Sequence, residues 1–195
     1  MSNFILASSS VKKLILLHSI GYKPNKVISA NIEKVPFLRE SPVEYTKRMA
    51  FKKSFKIYRK FSDSLVLSSN TVLSKGNLIL TEAKNKTDVL KNLKLLSGKR
   101  HSAFTSICVI KDNKPIIRVT RVKLKYKILT YQETQSLLHS DKWQKESLSR
   151  FSYGLARGCI EWIDNHSSNI EGLPANLTYQ TLKALGLREN IDFFT

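Results

Sequence analysis

The chain has 195 residues, of which 42% are hydrophobic and 9% aromatic. This composition predicts one packed domain over residues 1–195 and excludes a disordered polymer. The formal charge of +18 favours polyanionic partners such as nucleotides, nucleic acids or an anionic surface. No apolar run approaches the roughly 18 residues of a membrane span. The short apolar run at residues 4–7 is not preceded by the basic segment with which a signal peptide begins. We therefore expect a cytoplasmic protein that makes no membrane contact.

The two cysteines, Cys108 and Cys159, lie in separate apolar runs and lack the spacing of a CxxC or zinc motif. A free thiol in such a run behaves as a small hydrophobic side chain. We expect both cysteines to be unpaired and buried, in a reducing compartment.

A strand at residues 3–6, a small-residue loop and a helix that begins after Ser10 are the first predicted elements, and Gly21 ends the helix. Lys12 and Lys13 lie in its first turn, where the helix dipole disfavours cations. Two ammonium groups, three hydroxyls and exposed N–H groups would together bind a phosphate. The alternative is a pair of solvated lysines.

The capping box at residues 41–44, with proline at the first helical position, predicts a second helix that runs to about Arg59. Lys53 falls on the apolar stripe of this helix, with Ala50 and Ile57. A lysine on the inner face of a helix requires a polar partner. The alternative is a side chain that extends along the edge of the stripe into solvent.

The apolar run 64–69 predicts a buried strand with Asn70 and Thr71 at its C-terminal end, where ligands bind in open α/β sheets. The elements predicted after it are a strand at 78–80, a helix over 89–96 that Gly98 stops, strands at 103–110 and 115–129 joined by a hairpin turn, a capping box at 130–133 and a helix at 178–185. The fold class is α/β, with a mixed sheet and flanking helices.

Four cations, Arg121, Lys123, Lys125 and Lys127, share one face of the predicted strand at 115–129. They could contact nucleic acid, but charges at a period of two residues are typical of a solvated sheet face, and no aromatic residues interleave with them. We therefore do not expect nucleic acid as the partner of this chain.

The segments in their order along the chain resemble the Maf family of nucleoside triphosphate pyrophosphatases. The resemblance rests on Leu6–Lys13, Asn31–Glu33, Ser41–Pro42, Ala50–Lys53, Ser69–Thr71, Leu96–Gly98 with His101, Phe104–Thr105, and Asn169 followed by Gly172-Leu173-Pro174. It implies two lobes around a nucleotide cleft, a possible homodimer, and Mg²⁺ or Mn²⁺ as cofactor. The implied reaction converts a nucleoside triphosphate and water to a monophosphate and pyrophosphate.

The resemblance places the phosphate-binding residues in the first loop and helix. Ser8 and Ser10 match the family's serine-rich loop, and Lys12 and Lys13 stand where the family has two arginines. The positive charge is kept, but the bidentate guanidinium is lost. These four residues are predicted to bind the substrate.

Three residues are predicted to be catalytic by the resemblance. Glu33 matches an acidic residue on the metal side of the site, and Lys53 matches a helical lysine. Asn70 stands where the family has the aspartate that acts as base or metal ligand, and Thr71, the next residue, is predicted to bind substrate. Glu33 and, weakly, Asn70 are the predicted metal ligands, but a neutral amide cannot take a proton from water.

Glu82 and Glu146 fall where the family has lysines, and Tyr153 falls where it has a polar side chain. All three are predicted to line the substrate site. An alternative alignment puts Ala156 at the polar position, and neither alignment restores the family's side chain. A further alternative is that Glu33, Glu82 and Glu146 form a new metal-binding cluster, although they would repel a triphosphate.

The sequence thus leaves three functions open. The favoured one is a Maf-like pyrophosphatase of reduced activity. The second is a catalytically inactive homologue that binds nucleotide or a partner protein. The third, a basic nucleic-acid-binding protein, is supported only by the net charge and the cations at residues 121–127.

Overall fold

The computed structural model describes residues 3–81, 83, 85–139, 158–164 and 172–189. The helices in this part of the chain are α1 (Val11–Ser19), α2 (Pro42–Tyr58), α3 (Lys86–Leu96), α4 (Tyr131–His139) and α5 (Ala175–Ala184). The strands are β1 (Phe4–Leu6), β2 (Lys26–Val27), β3 (Leu65–Lys75), β4 (Leu78–Leu80), β5 (Arg100–Lys111), β6 (Lys114–Tyr126) and β7 (Ile160–Ile163).

The strands form one mixed sheet in the order β2-β1-β3-β5-β6-β7, and β4 pairs with the end of β3. β1 runs parallel to β2 and β3, whereas the pairs β3–β5, β5–β6 and β6–β7 are antiparallel. The predicted α/β class with a mixed sheet and flanking helices is therefore confirmed.

One edge of β3 is incompletely covered. Along the other edge, β5 pairs with β3 from Val66 to Ser74. On the incomplete edge, β1 pairs only as far as Leu67 and β4 begins only at Leu73. Among the described strands, none pairs with residues 68–72 on this edge. We call this stretch the β3 gap.

The sequence prediction for β3 was wrong about where the strand ends. Asn70 and Thr71 lie in the middle of β3, opposite Ser106 and Thr105 of β5, and not at its C-terminal end. The strand continues because its pairing with β5 persists past the polar residues. Asn70 and Thr71 are therefore mid-strand residues beside the β3 gap, and not residues at a strand end.

Local signals for helix and turn boundaries are confirmed. Ser41 and Glu44 form the reciprocal capping box that starts α2, with Glu44 N–H donating to Ser41 Oγ at 3.2 Å. Gly21 and Gly98, which follow α1 and α3, have φ of +84° and +65°, a backbone region that favours glycine. Other boundaries differ from the prediction: α3 and the last helix begin earlier, at Lys86 and Ala175, and β6 ends at Tyr126, before the predicted end at residue 129.

Buried hydroxyls connect α2 to the sheet that it covers. Thr46 Oγ1 donates to Asn70 O at 2.7 Å, and Ser54 Oγ donates to Cys108 O at 2.8 Å. In the opposite direction, Ser68 Oγ donates to Ala50 O at 2.6 Å. Since buried polar groups are costly unless they are hydrogen-bonded, these contacts fix the position of α2 over β3.

The cationic face of β6 has the alternation that the sequence predicts, with Val122, Leu124 and Tyr126 buried beneath it. Its charges are partly neutralised. Lys125 Nζ lies 2.9 Å from Glu161 Oε1, and Lys127 forms an ion pair with Glu133. This face is a solvated sheet surface with its own counter-charges.

Both cysteines are free and buried, as predicted. Burial raises the pKa of the Cys108 thiol to about 12, so it remains protonated at neutral pH. Within the described residues, no helix combines the length and apolar character needed to cross a bilayer.

His101 lies inside the fold, 4% exposed, with its ring edge-on to Tyr126 at 4.7 Å between centroids. Its Nδ1 lies 3.1 Å from Lys99 O. Burial lowers the pKa of His101 below its ordinary value of 6.5. The unfolded chain therefore takes up this proton at a higher pH than the folded protein does.

We predict that His101 makes the fold less stable in mild acid. Because its pKa is lower in the folded state, its contribution to the free energy of unfolding falls as pH decreases through 6.5, with a limiting slope of about 1.4 kcal/mol per pH unit. His101→Phe should lose less stability than wild type in urea unfolding between pH 7.5 and pH 5.5. Equal losses in the two proteins would show that His101 does not cause this pH dependence.

Candidate phosphate-binding site

The loop between β1 and α1 leaves the first turn of the helix open to a ligand. Ser10 occupies the N-cap position, as predicted, but its hydroxyl makes no capping bond to the described first turn. Instead, Ser8 Oγ accepts the N–H of Ser10 at 3.1 Å. The first turn contains no acidic residue. N–H groups and a positive helix dipole therefore meet at this loop.

Lys13 extends from α1 to the β3 gap. Its Nζ donates to Ser69 O at 3.0 Å, and the side chain is half-buried. Lys12, its neighbour, is exposed. The two lysines that the sequence predicted as a pair thus take different positions, and Lys13 is the one that the fold directs inward.

Lys53 reaches the same place from α2. Its Nζ lies 3.3 Å from Ser69 O and 2.8 Å from Asn70 Oδ1. The prediction that Lys53 faces inward and binds a polar partner is confirmed, and the alternative of a side chain extended into solvent is wrong. The polar groups that accept hydrogen bonds from its ammonium group belong to β3.

Two ammonium groups therefore share the Ser69 carbonyl, and the β3 gap explains why this carbonyl accepts them. Leu67 O accepts the N–H of Ala7 from the β1 side at 2.7 Å. Carbonyls two residues apart on a strand point to the same edge, so Ser69 O also faces this side. There the described strands offer it no backbone donor, and lysine side chains supply the hydrogen bonds.

Gly172 packs against Lys13 and joins the wall of the site. Ser69 Oγ donates to Gly172 O at 2.6 Å. Gly172 has φ of +96°, and a Cβ at this position would lie 3.1 Å from Lys13 Cε and 3.9 Å from Thr71 Oγ1. The positive φ favours glycine, and a side chain here would lie tight against the Lys13 stem, which would have to shift by a few tenths of an ångström.

Thr71 lies beside this wall and pairs with a hydroxyl on the adjacent strand. Thr71 Oγ1 is 2.8 Å from Thr105 Oγ1, and either atom can be the donor. Asn70, by contrast, is 6% exposed and has its amide oxygen held by Lys53. Asn70 and Thr71 therefore project differently, although both were predicted as site residues.

The described residues do not by themselves fit a resident divalent metal. Asn70 Oδ1, one predicted ligand, already accepts the Lys53 ammonium. Glu33, the other, is exposed in the loop before α2. Within the described ranges, no three side chains of His, Cys, Asp or Glu come together as a metal-binding group. Hard divalent cations need several oxygen ligands, which this set does not supply.

Three predicted substrate-binding residues, Glu82, Glu146 and Tyr153, lie outside the described residues. The alternative cluster of Glu33 with Glu82 and Glu146 therefore stays a prediction. Ala156, the other candidate for the polar position, also lies outside them.

Sequence reasoning missed two groups of this site. The Ser69 carbonyl is a backbone group, and no residue type in the sequence indicates that it will be available to side chains. Gly172 was part of the resemblance but was given no role. Its position between Ser69 and Lys13 depends on contacts across more than a hundred residues of sequence, which periodicity cannot reveal.

Comparison with known proteins agrees with this geometry. Residues 3–185 match the family model described as Maf, Maf-like protein. A dTTP/UTP pyrophosphatase of Wolbachia sp. subsp. Brugia malayi is 35% identical over 181 residues, which cover 92% of this chain and 91% of the relative.

Two further relatives have comparable similarity. The dTTP/UTP pyrophosphatase of Zymomonas mobilis is 33% identical over 186 residues, covering 95% of this chain and 92% of the relative. A nucleoside triphosphate pyrophosphatase of Ehrlichia chaffeensis is 34% identical over 181 residues, covering 92% and 94%. The match extends over nearly the whole chain, and the chain belongs to the Maf family.

Proposed function

We propose that this chain is a nucleoside triphosphate pyrophosphatase of reduced activity, which hydrolyses a nucleoside triphosphate to the monophosphate and pyrophosphate. The observation that carries the proposal is the convergence of Lys13 and Lys53 on Ser69 O beside the open start of α1. The names of the relatives supply the reaction class. A binding site for the triphosphate is the part of this activity that the described residues support most directly.

The triphosphate would bind between α1 and the β3 gap. N–H groups at the start of α1 and the hydroxyls of Ser8 and Ser10 would donate to phosphate oxygens. Lys13 and Lys53 would add charge-assisted hydrogen bonds from the β3 side, and the exposed Lys12 would reach the outer phosphates. This arrangement neutralises charge on the substrate and on the departing pyrophosphate.

Asn70 supports the reduction in activity. The water that attacks phosphorus must lose a proton, and an amide side chain cannot accept one. In addition, the side-chain oxygen of Asn70 already accepts a hydrogen bond from Lys53. Glu33, exposed in the loop before α2, is the carboxylate that we propose as the remaining base. The implied Mg²⁺ or Mn²⁺, the two-lobed cleft, the homodimer and the cytoplasmic location remain proposals drawn from the resemblance.

A catalytically inactive homologue that binds nucleotide is the second candidate. The Lys53–Asn70 hydrogen bond favours it, because the same contact that orders the site removes a free oxygen from it. This candidate shares the phosphate-binding arrangement and differs only in turnover.

Pyrophosphate release separates the two candidates. Purified protein is incubated with each standard and several modified nucleoside triphosphates in Mg²⁺ or Mn²⁺, and pyrophosphate is measured by a coupled assay. We expect slow release above the buffer rate, with dTTP and UTP tested first because of the relatives' names. Release equal to that of buffer for every substrate would contradict a pyrophosphatase and leave the inactive homologue.

We predict that Asn70→Asp raises the turnover number. The new carboxylate would lie beside the Lys53 ammonium, which is now 2.8 Å from the amide oxygen, and the pair would hold the carboxylate ionised. General-base catalysis typically contributes about 100-fold or more. Asn70→Leu, which removes the polar atoms, is the matched control and should show no gain. A turnover number for Asn70→Asp at or below that of wild type would contradict the proposed role of this position.

We predict that Gly172→Ala weakens substrate binding. The added Cβ would lie 3.1 Å from Lys13 Cε and shift the lysine stem, which weakens the hydrogen bond from its ammonium to Ser69 O. KM should therefore rise by up to about tenfold, the effect of losing one charge-assisted hydrogen bond entirely. Gly186→Ala is the control, because Gly186 also has positive φ, +74°, but nothing lies within 4 Å of its added Cβ. A KM for Gly172→Ala no higher than that for Gly186→Ala would contradict a role for the Gly172–Lys13 contact in substrate binding.

A further inference from the structure

The outer face of α2 carries a concentration of positive charge that the proposed reaction does not use. Residues 47–60 contain seven lysines and arginines and no acidic residue. Lys53 turns inward to Ser69 and Asn70, whereas Lys52 and Lys56 on either side of it are exposed. One helix therefore contributes to the phosphate site on one side and presents cations to solvent on the other.

These outer cations surround a shallow open cavity of about 430 Å³. It is lined by Lys52, Phe55, Lys56, Arg59 and Lys60. The spacing of these residues places them on one face of α2 and its C-terminal extension. We call this cavity and its lining the α2 basic pocket. Its lining combines four cations with one aromatic ring.

The aromatic ring of the pocket is held in place and remains accessible. Phe55 is 41% exposed and stacks on Phe51, with 5.4 Å between ring centroids and 18° between ring planes. Beside the pocket, Phe37 is 61% exposed, with Arg48 at 3.7 Å and Lys52 at 5.7 Å from its ring centroid. Cations and aromatic faces thus alternate across this surface.

We propose that the α2 basic pocket binds single-stranded nucleic acid. A base would stack on Phe55 while Lys52, Arg59 and Lys60 contact the flanking phosphates. Aromatic platforms inside a positively charged groove are the chemistry that single-stranded nucleic acids need, and stacking tolerates any base. This surface has the interleaved aromatic rings that the cationic face of β6 lacks. Beside the pocket, Arg48 is paired with Glu40, but among the described residues no salt bridge involves the four cations of the pocket lining.

The shape of the pocket favours a nucleic acid over an anionic membrane. Phe55 lies in the lining of a concavity with cations around it, so a flat base can enter and reach the ring. A bilayer requires apolar side chains that project beyond the charges and insert among the lipids. Leu38, 94% exposed next to Phe37, is such a side chain, but it does not line the pocket. Binding to vesicles is therefore the competing outcome of the test.

The test uses fluorescence anisotropy of the full chain with a labelled 20-nucleotide oligo(dT) across a range of salt concentrations. Wild type should bind with an affinity that falls steeply as salt increases, because counterions are released from the phosphates. Phe55→Ala should weaken binding by at least about fivefold, the lower range for loss of one stacked base. Lys52→Ala/Arg59→Ala should also reduce the slope of log affinity against log salt by about 1.4, from two lost phosphate contacts.

Lys91→Ala/Lys94→Ala removes the same charge from the exposed face of α3 and should bind as wild type does. Lys13→Ala should also retain binding, which distinguishes the α2 basic pocket from the nucleotide site. Affinities that are equal for wild type, Phe55→Ala and Lys52→Ala/Arg59→Ala would overturn the proposal.

Two further outcomes would also overturn it. The first is loss of binding in Lys13→Ala alone, which would place the oligonucleotide at the nucleotide site. The second is an oligonucleotide affinity unaffected by the pocket substitutions, together with pocket-dependent binding to phosphatidylserine vesicles. Pyrophosphate release is a separate readout that the pocket variants should leave unchanged, so this proposal and the proposed function can fail independently.

Discussion

The site depends on a strand pairing that β3 does not make. β1 ends opposite Leu67 and β4 begins at Leu73, so the edge between them exposes the Ser69 carbonyl to side chains. Lys13 from α1 and Lys53 from α2 both donate to it. A carbonyl cannot leave this edge without distorting the β3–β5 ladder, and the two ammonium groups are therefore held where the sheet fixes them. The sheet thus converts two lysines far apart in sequence into one preorganised cationic centre.

The sequence predicts the elements of this fold well wherever their boundaries depend on local chemistry. The capping box at Ser41, the glycine after α3 and the turn before β6 each depend on residues within one turn of the boundary. The length of β3 could not be predicted in the same way, because its continuation past Asn70 depends on pairing with β5, more than thirty residues away. Local polarity suggested a strand end that the ladder overrides.

In the candidate site, too, the residues with a local signal were predicted and the groups that depend on distant contacts were not. Lys13 was singled out by its position in the first turn of a helix. Lys53 was singled out by its place on an apolar stripe together with the family resemblance, and both face inward. Their shared acceptor was not predictable, because it is a backbone atom exposed by topology. The α2 basic pocket was missed for a different reason. Helical periodicity was used to find the buried face of α2. The cations and phenylalanines on the opposite face form a pocket only together, and this is evident only from the three-dimensional arrangement of the surface.

Calorimetric titration of a nonhydrolysable nucleoside triphosphate tests the shared role of Lys13 and Lys53 without requiring turnover. Lys13→Met and Lys53→Met each remove one ammonium group, with Lys23→Met, at an exposed lysine outside the site, as the control. Each site variant should bind at least about tenfold more weakly than wild type, since a hydrogen bond to a charged group contributes about 1.5 to 3 kcal/mol. Wild-type affinity in both site variants would contradict the account, because the Ser69 carbonyl would then position two lysines that the nucleotide does not contact.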